Sequence, residues 1–317
     1  MDPSFYKSLV VVNKSARNGR AMKIWRNIRM DVLRRIPGYF DEIAFSPGDD
    51  LQNEIKRYIR EKHINCIISA GGDGTVNHIL NHLLRIEGLN SDKYYIGGVG
   101  LGSSNDFIKP CLTRIGNVPI RLEFSSPKIQ DIGVVKFHDR NNELFTRYFI
   151  INASIGVAAE ANLYFSCSDF FLNMIKKQSI QAAILFAAIR TIITYKNIHA
   201  SLIYNGTTKK LDLVNLSIIK NNFISGRFHY DQQVFPDDGF LGLNYCHDMT
   251  KVELIRTLMG LYDGHFSGKP KTYTARTKEL VLTPEKSVAI ETDGEIFRGS
   301  DIQFSILPKA IHVLGLK

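Results

Sequence analysis

The stretch Ile64-Asn65-Cys66-Ile67-Ile68-Ser69-Ala70-Gly71-Gly72-Asp73-Gly74-Thr75-Val76-Asn77 constrains the fold more than any other part of the chain. Its first half is a short apolar run rich in β-branched residues, the pattern of a strand buried on both faces of a parallel sheet. Beyond it, Val76, Ile79, Leu80, Leu83 and Leu84 recur at i, i+3, i+4, i+7 and i+8 and mark one apolar stripe of a helix. Between the two lie three glycines, a carboxylate and a hydroxyl. Glycines let the backbone take positive φ and approach a ligand closely. A loop that opens a helix offers unpaired N–H groups and the positive end of the dipole to a phosphate. No Gly-Lys-Ser/Thr follows, so the loop is not the P-loop pattern.

The flanking residues continue the alternation. Leu9–Asn13 reads as a first strand, ending in the polar loop Lys14–Gly19, and Arg20–Ile36 as a basic helix stopped by Pro37-Gly38. Tyr39–Phe45 is a second strand. Ser46 then supplies an N-cap, Pro47 a first helical position and Asp49 an early acid, so a helix is expected to about Lys62. This β-α-β-α-β-α order is that of a doubly wound parallel sheet. Its ligand belongs at the carboxyl ends of the strands, where Asn13, Ser46 and the Gly71–Thr75 loop fall. Tyr94–Val99 leads into a second glycine and hydroxyl turn, Gly100–Phe107, opening a short helix.

After about Ser125 the texture changes to short alternating runs: Ile129–Phe137, Leu144–Ile151, His199–Tyr204, Leu211–Ile219, Phe240–Cys246, Thr272–Leu282 and Ser287–Thr292. Asn205-Gly206 is a type I′ hairpin signal. Such spacing predicts a mainly antiparallel β domain. Two helical insertions interrupt it, one over Ser179–Tyr195 and one starting at Thr250, where Thr250 and Glu253 form a capping box. The apolar run Ala310–Leu314 is expected to return to the first domain as a strand. The expected division is therefore 1–125 with a returning segment 308–317, an α/β domain, and 126–307, a β-rich domain.

A net charge of +9 points to an anionic partner, and the basic residues Lys14, Arg17, Arg20, Lys23 and Arg26 crowd the first loop and helix. The four cysteines have no CxxC spacing, which reads as reduced thiols with no structural zinc. His78 and His82 stand at i, i+4, a spacing that can bind zinc, but without an evident third ligand they read as a polar helix face. The N-terminus lacks a signal-peptide pattern, and the apolar Ile180–Tyr195 is too short and too interrupted to span a bilayer. The expected location is the cytoplasm, peripheral at the inner membrane face.

Four motifs in this order resemble those of the lipid kinase catalytic-domain family, which includes soluble bacterial diacylglycerol kinases and sphingosine kinases. They are Gly71-Gly72-Asp73-Gly74-Thr75-Val76-Asn77, Gly102-Ser103-Ser104-Asn105-Asp106-Phe107, Pro236-Asp237-Asp238-Gly239-Phe240-Leu241 and Thr292-Asp293-Gly294-Glu295. NAD kinases share the first motif but not the Asn-Asp-Phe and Asp-Gly-Glu pieces. The resemblance implies a fold like that of NAD kinase and diacylglycerol kinase, and transfer of the γ-phosphoryl group of ATP to a lipid hydroxyl such as that of diacylglycerol. It implies that Ala70, Gly71, Gly72, Asp73, Gly74, Thr75, Val76 and Ser103 bind ATP, with Asn13 and Ser46 at the same strand ends. It places Asp73 near the phosphates and Mg²⁺, and gives Asp238 a second, structural Mg²⁺ together with the carbonyls of Phe235 and Phe240. Glu295 becomes the proton acceptor for the lipid hydroxyl, with Asp293 secondary. The same residues also read as an ordinary hairpin whose Asp-Gly turn explains itself.

The chain departs from the family pattern at His78, where an acid is usual, at Ser103-Ser104 and at Lys109, where a basic residue is displaced. The Gly-rich stretch before the metal aspartate is reduced to Ser225-Gly226-Arg227. Alternative functions are an NAD kinase, or a catalytically weak membrane-binding protein on the same fold. The implied partners are a lipid substrate and an anionic membrane surface, with a homodimer left open and no nucleic acid expected.

Overall fold

The computed structural model describes residues 5–17, 19–86, 88–167 and 169–315, so Leu316 and Lys317 of the expected returning segment lie outside them. The chain divides into two compact units, Met1–Ile132 with Pro308–Lys317, and Gly133–Leu307.

In the first unit, β1 (Lys7–Asn13) is followed by α1 (Arg20–Leu33), β2 (Tyr39–Phe45), α2 (Leu51–Lys62), β3 (Cys66–Gly71), α3 (Asp73–Leu84) and β4 (Tyr95–Gly100). The strands pair in parallel in the order β2-β1-β3-β4, with Val10 opposite both Glu42 and Ile68, and Ile67 opposite Ile96. Every residue of β3 and β4 is buried, as the continuous apolar run predicts. One face of β1 and β3, through Val10, Val12, Ile68 and Ala70, packs on Trp25, Ile28 and Val32 of α1. The arginines of α1 stand on its other side, so a helix rich in basic residues is still held by an apolar stripe. Burial pushes the Cys66 thiol up to about 12, as befits an inert core cysteine.

The expected N-cap at Ser46 is not made. Ser46 to Asp49 form a turn instead: the Asp49 N–H donates to the Ser46 carbonyl (3.1 Å), and the Ser46 N–H to the Asp49 carboxylate (2.7 Å). Gly48 takes φ +97° there, which no helical turn accommodates, so α2 starts later and is capped by Asp50, which accepts from the Asn53 N–H (3.1 Å). Following β4, the short strands β5 (Thr113–Ile115) and β6 (Val118–Arg121) form a hairpin whose second strand runs antiparallel to β4.

The chain then enters the second unit along β7 (Glu123–His138), which pairs with β8 (Leu144–Phe149). Next come β9 (Asn152–Gly156), three helices α4 (Val157–Ser166), α5 (Phe170–Gln178) and α6 (Ile180–Thr194), and the hairpin of β10 (Ile198–Tyr204) with β11 (Thr207–Ile219). Its two-residue turn has Asn205 at φ 47° and Gly206 at φ 72°, the positive pair a type I′ turn requires. Two short strands, β12 (Phe223–Ile224) and β13 (Phe228–His229), precede β14 (Leu241–His247), α7 (Lys251–Tyr262), β15 (Thr272–Thr277), β16 (Glu279–Pro284), β17 (Val288–Thr292) and β18 (Glu295–Gly315).

The pairs of β10 with β16, β11 with β14 and β9, β14 with β15, β16 with β18, and β17 with β18 and β9 are antiparallel, and residues such as Leu202, Leu216, Tyr245, Ile290 and Phe304 fill the core between them. The run Thr272–Leu282 is two strands, because the chain changes partner at Lys278: β15 lies on β14 and β16 on β10. The capping box at Thr250 and Glu253 is present. Helices α4 and α5 are additions to the two expected insertions; Asp169 caps α5 by accepting from the Leu172 N–H (2.9 Å). The end of β18 belongs to the first unit, where His312 and Val313 lie parallel to Tyr95 and Ile96 of β4.

Candidate nucleotide and catalytic sites

In the first unit the central loop is tighter than its sequence suggests. Helix α3 already begins at Asp73, with Gly72 as its N-cap, so Asp73, Gly74 and Thr75 form its first turn. A Cβ on Gly71 would lie 2.3 Å from Thr75 Oγ1, and one on Gly102 would lie 2.3 Å from the Gly72 Cα. The two glycine turns therefore meet backbone to backbone, a contact that no other residue permits.

Polar bonds lock the same arrangement. The Phe107 N–H donates to Asp73 Oδ1 (3.0 Å), tying the second motif to the helix start. Asn105, at φ 54°, accepts from the Gly102 N–H (2.9 Å) and donates to its carbonyl (3.0 Å). Asn13 Nδ2 donates to Thr75 Oγ1 (3.0 Å), so the end of β1 holds the hydroxyl of the loop. Thus Asn13, Gly71 to Thr75, and the Gly102–Phe107 turn are brought together. Ala70 and Val76 are buried beneath them as packing residues. Ser103 lines a cleft of about 480 Å³ in this unit, together with Arg17, Ser104, Lys109 and Arg114. Ser46 sits in its own turn after β2.

Arg121 was not marked by any sequence pattern. It donates to the carbonyls of Phe107 (2.9 Å) and Leu314 (2.8 Å), with its guanidinium 5.0 Å from the centre of the Phe107 ring. Burial lowers it to about 10, which still leaves it charged at neutral pH. Lys109 forms a mostly buried ion pair with Asp106 (2.5 Å). The His78 and His82 rings stack at 6.2 Å, and burial followed by His78 pushes His82 down to about 4, so it is neutral and half-buried rather than part of a solvated face. Among the described residues no cluster of three or more His, Cys, Asp or Glu could hold a metal ion.

In the second unit, Thr292 pairs with Glu295 across a two-residue turn in which Asp293 and Gly294 take φ 46° and 94°. Asp293 is buried, and its carboxylate accepts from three consecutive backbone N–H groups: Ile150 (2.8 Å), Ile151 (2.9 Å) and Asn152 (2.9 Å). It shapes the turn on which the half-buried Glu295 stands. Beside it, Glu291 is a carboxylate that sequence reasoning missed. It accepts from Ser154 Oγ (2.7 Å), Asn152 Nδ2 (3.1 Å) and the Gly294 N–H (2.6 Å), and burial raises it to about 7.

The expected structural cation site is filled by the protein itself. Lys220 Nζ donates to the carbonyls of Phe235 (2.8 Å) and Phe240 (2.9 Å) and lies 3.4 Å from Asp238 Oδ1. These are the three groups the family resemblance assigned to a Mg²⁺ ion. Asp238 also pairs with Arg276 (2.5 Å) and accepts from the Phe240 N–H (3.0 Å). With Lys220 in place, the residues present do not fit a divalent ion.

An apolar cavity of about 90 Å³ lies among α4, α6 and α7, lined by Phe165, Ile184, Phe228, Leu258 and Phe266 among others. Phe165 thus faces a cavity, whereas Phe170 and Phe171 are exposed. A larger concavity of about 880 Å³ in this unit, lined by polar and apolar residues, contains none of the expected site residues. No helix among the described residues is long and apolar enough to cross a membrane.

Comparison with known proteins shows the family. The model of the diacylglycerol kinase catalytic domain matches residues 7–122, and that of the YegS C-terminal NAD kinase beta sandwich-like domain matches residues 154–315. A probable lipid kinase YegS-like from Pseudomonas syringae pv. syringae (strain B728a) is 24% identical over 253 residues, covering 78% of this chain and 74% of that protein. Another probable lipid kinase YegS-like, from Yersinia enterocolitica serotype O:8 / biotype 1B, is 31% identical over a shorter 75-residue stretch, 23% of each chain. A crystal structure of a diacylglycerol kinase from Bacillus anthracis str. Sterne superposes with a TM-score of 0.63 at 16% identity, covering 98% of this chain and 96% of that one, which shows a shared fold.

Proposed function

Since the chain belongs to the lipid kinase family that joins a diacylglycerol kinase catalytic domain to a YegS C-terminal domain, we propose that it transfers the γ-phosphoryl group of ATP to a lipid hydroxyl, with diacylglycerol as the acceptor. On this reading unit 1 is a doubly wound nucleotide domain and unit 2 receives the lipid. The observation that carries it is the locking of two glycine turns by the Phe107 N–H to Asp73 bond, at the start of a helix that follows a fully buried strand.

Phosphoryl transfer asks little covalent chemistry of a protein; it asks for positioning and charge balance. The first turn of α3 presents backbone N–H groups and a positive dipole end to phosphate oxygens. Asn13 orients the Thr75 hydroxyl, and the Gly72–Gly102 contact keeps the surface flat enough for a close approach. A Mg²⁺ ion bound with ATP would supply charge compensation on the phosphates. Unit 2 contributes the carboxylate of Glu295, which accepts the proton of the lipid hydroxyl, while Asp293 fixes the turn that carries it. The apolar cavity lined by Phe165 and Phe228 offers room for part of an acyl chain. Lys14, Arg17, Arg20, Lys23 and Arg26 draw the protein to an anionic bilayer, where its acceptor resides.

The test is transfer from γ-labelled ATP across a panel of diacylglycerol, sphingoid bases and NAD, followed by organic extraction. Label in an extractable phospholipid, dependent on Mg²⁺, supports the proposal. Label only in NADP, or in no acceptor at all, overturns it.

A further inference from the structure

We propose that Lys220 is a resident cation that permanently replaces a structural divalent ion, so that the fold of this protein is independent of Mg²⁺. The geometry of the pocket carries this. An ammonium has three N–H donors, and here three acceptors surround it: the Phe235 and Phe240 carbonyls at 2.8 and 2.9 Å and Asp238 Oδ1 at 3.4 Å. The carbonyl distances are those of hydrogen bonds, whereas Mg²⁺ would draw its oxygens to about 2.0–2.1 Å and demand octahedral ligation. The Lys220 side chain is 0% exposed, so its charge is held inside the protein.

Charge counting points the same way. The Asp238 carboxylate of this pocket already pairs with Lys220 on one oxygen and Arg276 on the other. A divalent ion would have to enter against two monovalent cations and displace one of them from low-dielectric surroundings, where like charges repel strongly. The lysine is also placed by the backbone rather than by chance. It directly follows β11, and its own N–H donates to the Ile151 carbonyl (2.8 Å). Ile151 belongs to the same three-residue segment whose N–H groups hold Asp293. The 235–240 turn and the Asp293 turn are thereby anchored to one piece of backbone through a covalently attached cation.

The inference concerns stability without ATP and stands whether or not the chain phosphorylates a lipid. Melting of the full-length, ATP-free protein is measured in EDTA and in millimolar Mg²⁺ or Mn²⁺, together with equilibrium dialysis for bound metal. The wild type is expected to melt at the same temperature in both and to retain no metal ion. Lys220→Ala removes the ammonium and leaves two carbonyls and a carboxylate around a void. It should melt lower in EDTA and recover by several degrees when Mg²⁺ or Mn²⁺ is added, as expected of a ligand that binds only the folded state. Lys220→Met fills the void with apolar atoms, so it should melt lower without metal recovery. A wild type that retains one tightly bound Mg²⁺ per chain and loses several degrees in EDTA would overturn the proposal, and this arm needs no variant to fold. A Lys220→Ala protein that folds but gains nothing from either metal would also count against it.

Discussion

Replacing Asp293 separates a residue that shapes the active turn from one that takes part in chemistry. Its carboxylate accepts three backbone N–H bonds, two on Oδ1 from Ile151 and Asn152 and one on Oδ2 from Ile150. Withdrawing a charged acceptor from buried donors costs about 1–3 kcal/mol each. Asp293→Ala also places a residue with a Cβ and no side-chain acceptor at φ 46°, which adds about 1–2 kcal/mol. Together these give roughly 4–11 kcal/mol, the upper end being reached only if the three bonds act independently. For a unit of this size each kcal/mol corresponds to about 2–4 °C, so the melting temperature should fall by at least roughly 8 °C. Asp293→Asn tolerates the left-handed backbone. It keeps an oxygen toward Ile151 and Asn152 but turns an NH₂ against the Ile150 N–H, so it should lie between the alanine variant and wild type. Differential scanning fluorimetry with far-UV circular dichroism reads both. If Asp293→Ala melts within about 2 °C of wild type yet has lost turnover, the clamp is an incorrect account and the carboxylate acts in the reaction itself.

Other consequences follow from the same geometry. Gly102→Ala puts a Cβ 2.3 Å from the Gly72 Cα, so the turns must part; ATP affinity measured by calorimetry should fall by at least about tenfold, and an unchanged Kd would dismiss the contact. Glu291 is raised to about 7 in the fold against an ordinary carboxylate value of 4.5, so the folded state holds the extra proton between those values. Stability should therefore decline as pH rises from about 4.5 to 7 and level off above, and Glu291→Gln should flatten that slope in pH-dependent chemical denaturation. Vesicle co-sedimentation should require anionic lipid and weaken with salt, since each basic residue near the surface contributes about 1 kcal/mol; equal binding to neutral vesicles would return the basic edge of α1 to plain solvation.

Periodicity made most of the framework legible. The strand β3, the stripe of α3 and the hairpins at Asn205-Gly206 and Asp293-Gly294 all sit where the sequence puts them, because each rests on local backbone preference or on one repeating face. Helices α4 and α5 escaped because they are short and follow each other closely, and α4 lacks a clear apolar stripe. The start of α2 was misplaced by four residues because Ser46-Pro47 and Asp50 both look like caps, and only the positive φ of Gly48 decides between them.

Within the candidate sites, the glycine turns could be read from composition, but the groups that hold them could not. Lys220 stands in Ile219-Lys220-Asn221-Asn222, which looks like a strand running out into solvent, yet the lysine is buried on acceptors 15 to 20 residues away in sequence. Glu291 sits between Ile290 and Thr292 where alternation suggests an outward face, but α4 packs against β17, and Asn152 and Ser154 of the paired strand β9 donate to the carboxylate. Arg121 closes onto Leu314, 193 residues distant, a separation that no local pattern reports.

The central claim is tested most directly by mass spectrometry of the product formed from ATP, Mg²⁺ and diacylglycerol in mixed micelles, with wild type and Glu295→Gln compared side by side. The account predicts that wild type yields the phosphorylated lipid and an equal amount of ADP. Glu295→Gln should be slower by roughly 10²–10⁴, the range for loss of a positioned base, with its melting temperature little changed. Absence of any phosphorylated lipid with wild type, or a Glu295→Gln rate within about tenfold of it, would contradict the assignment of the reaction or of its base.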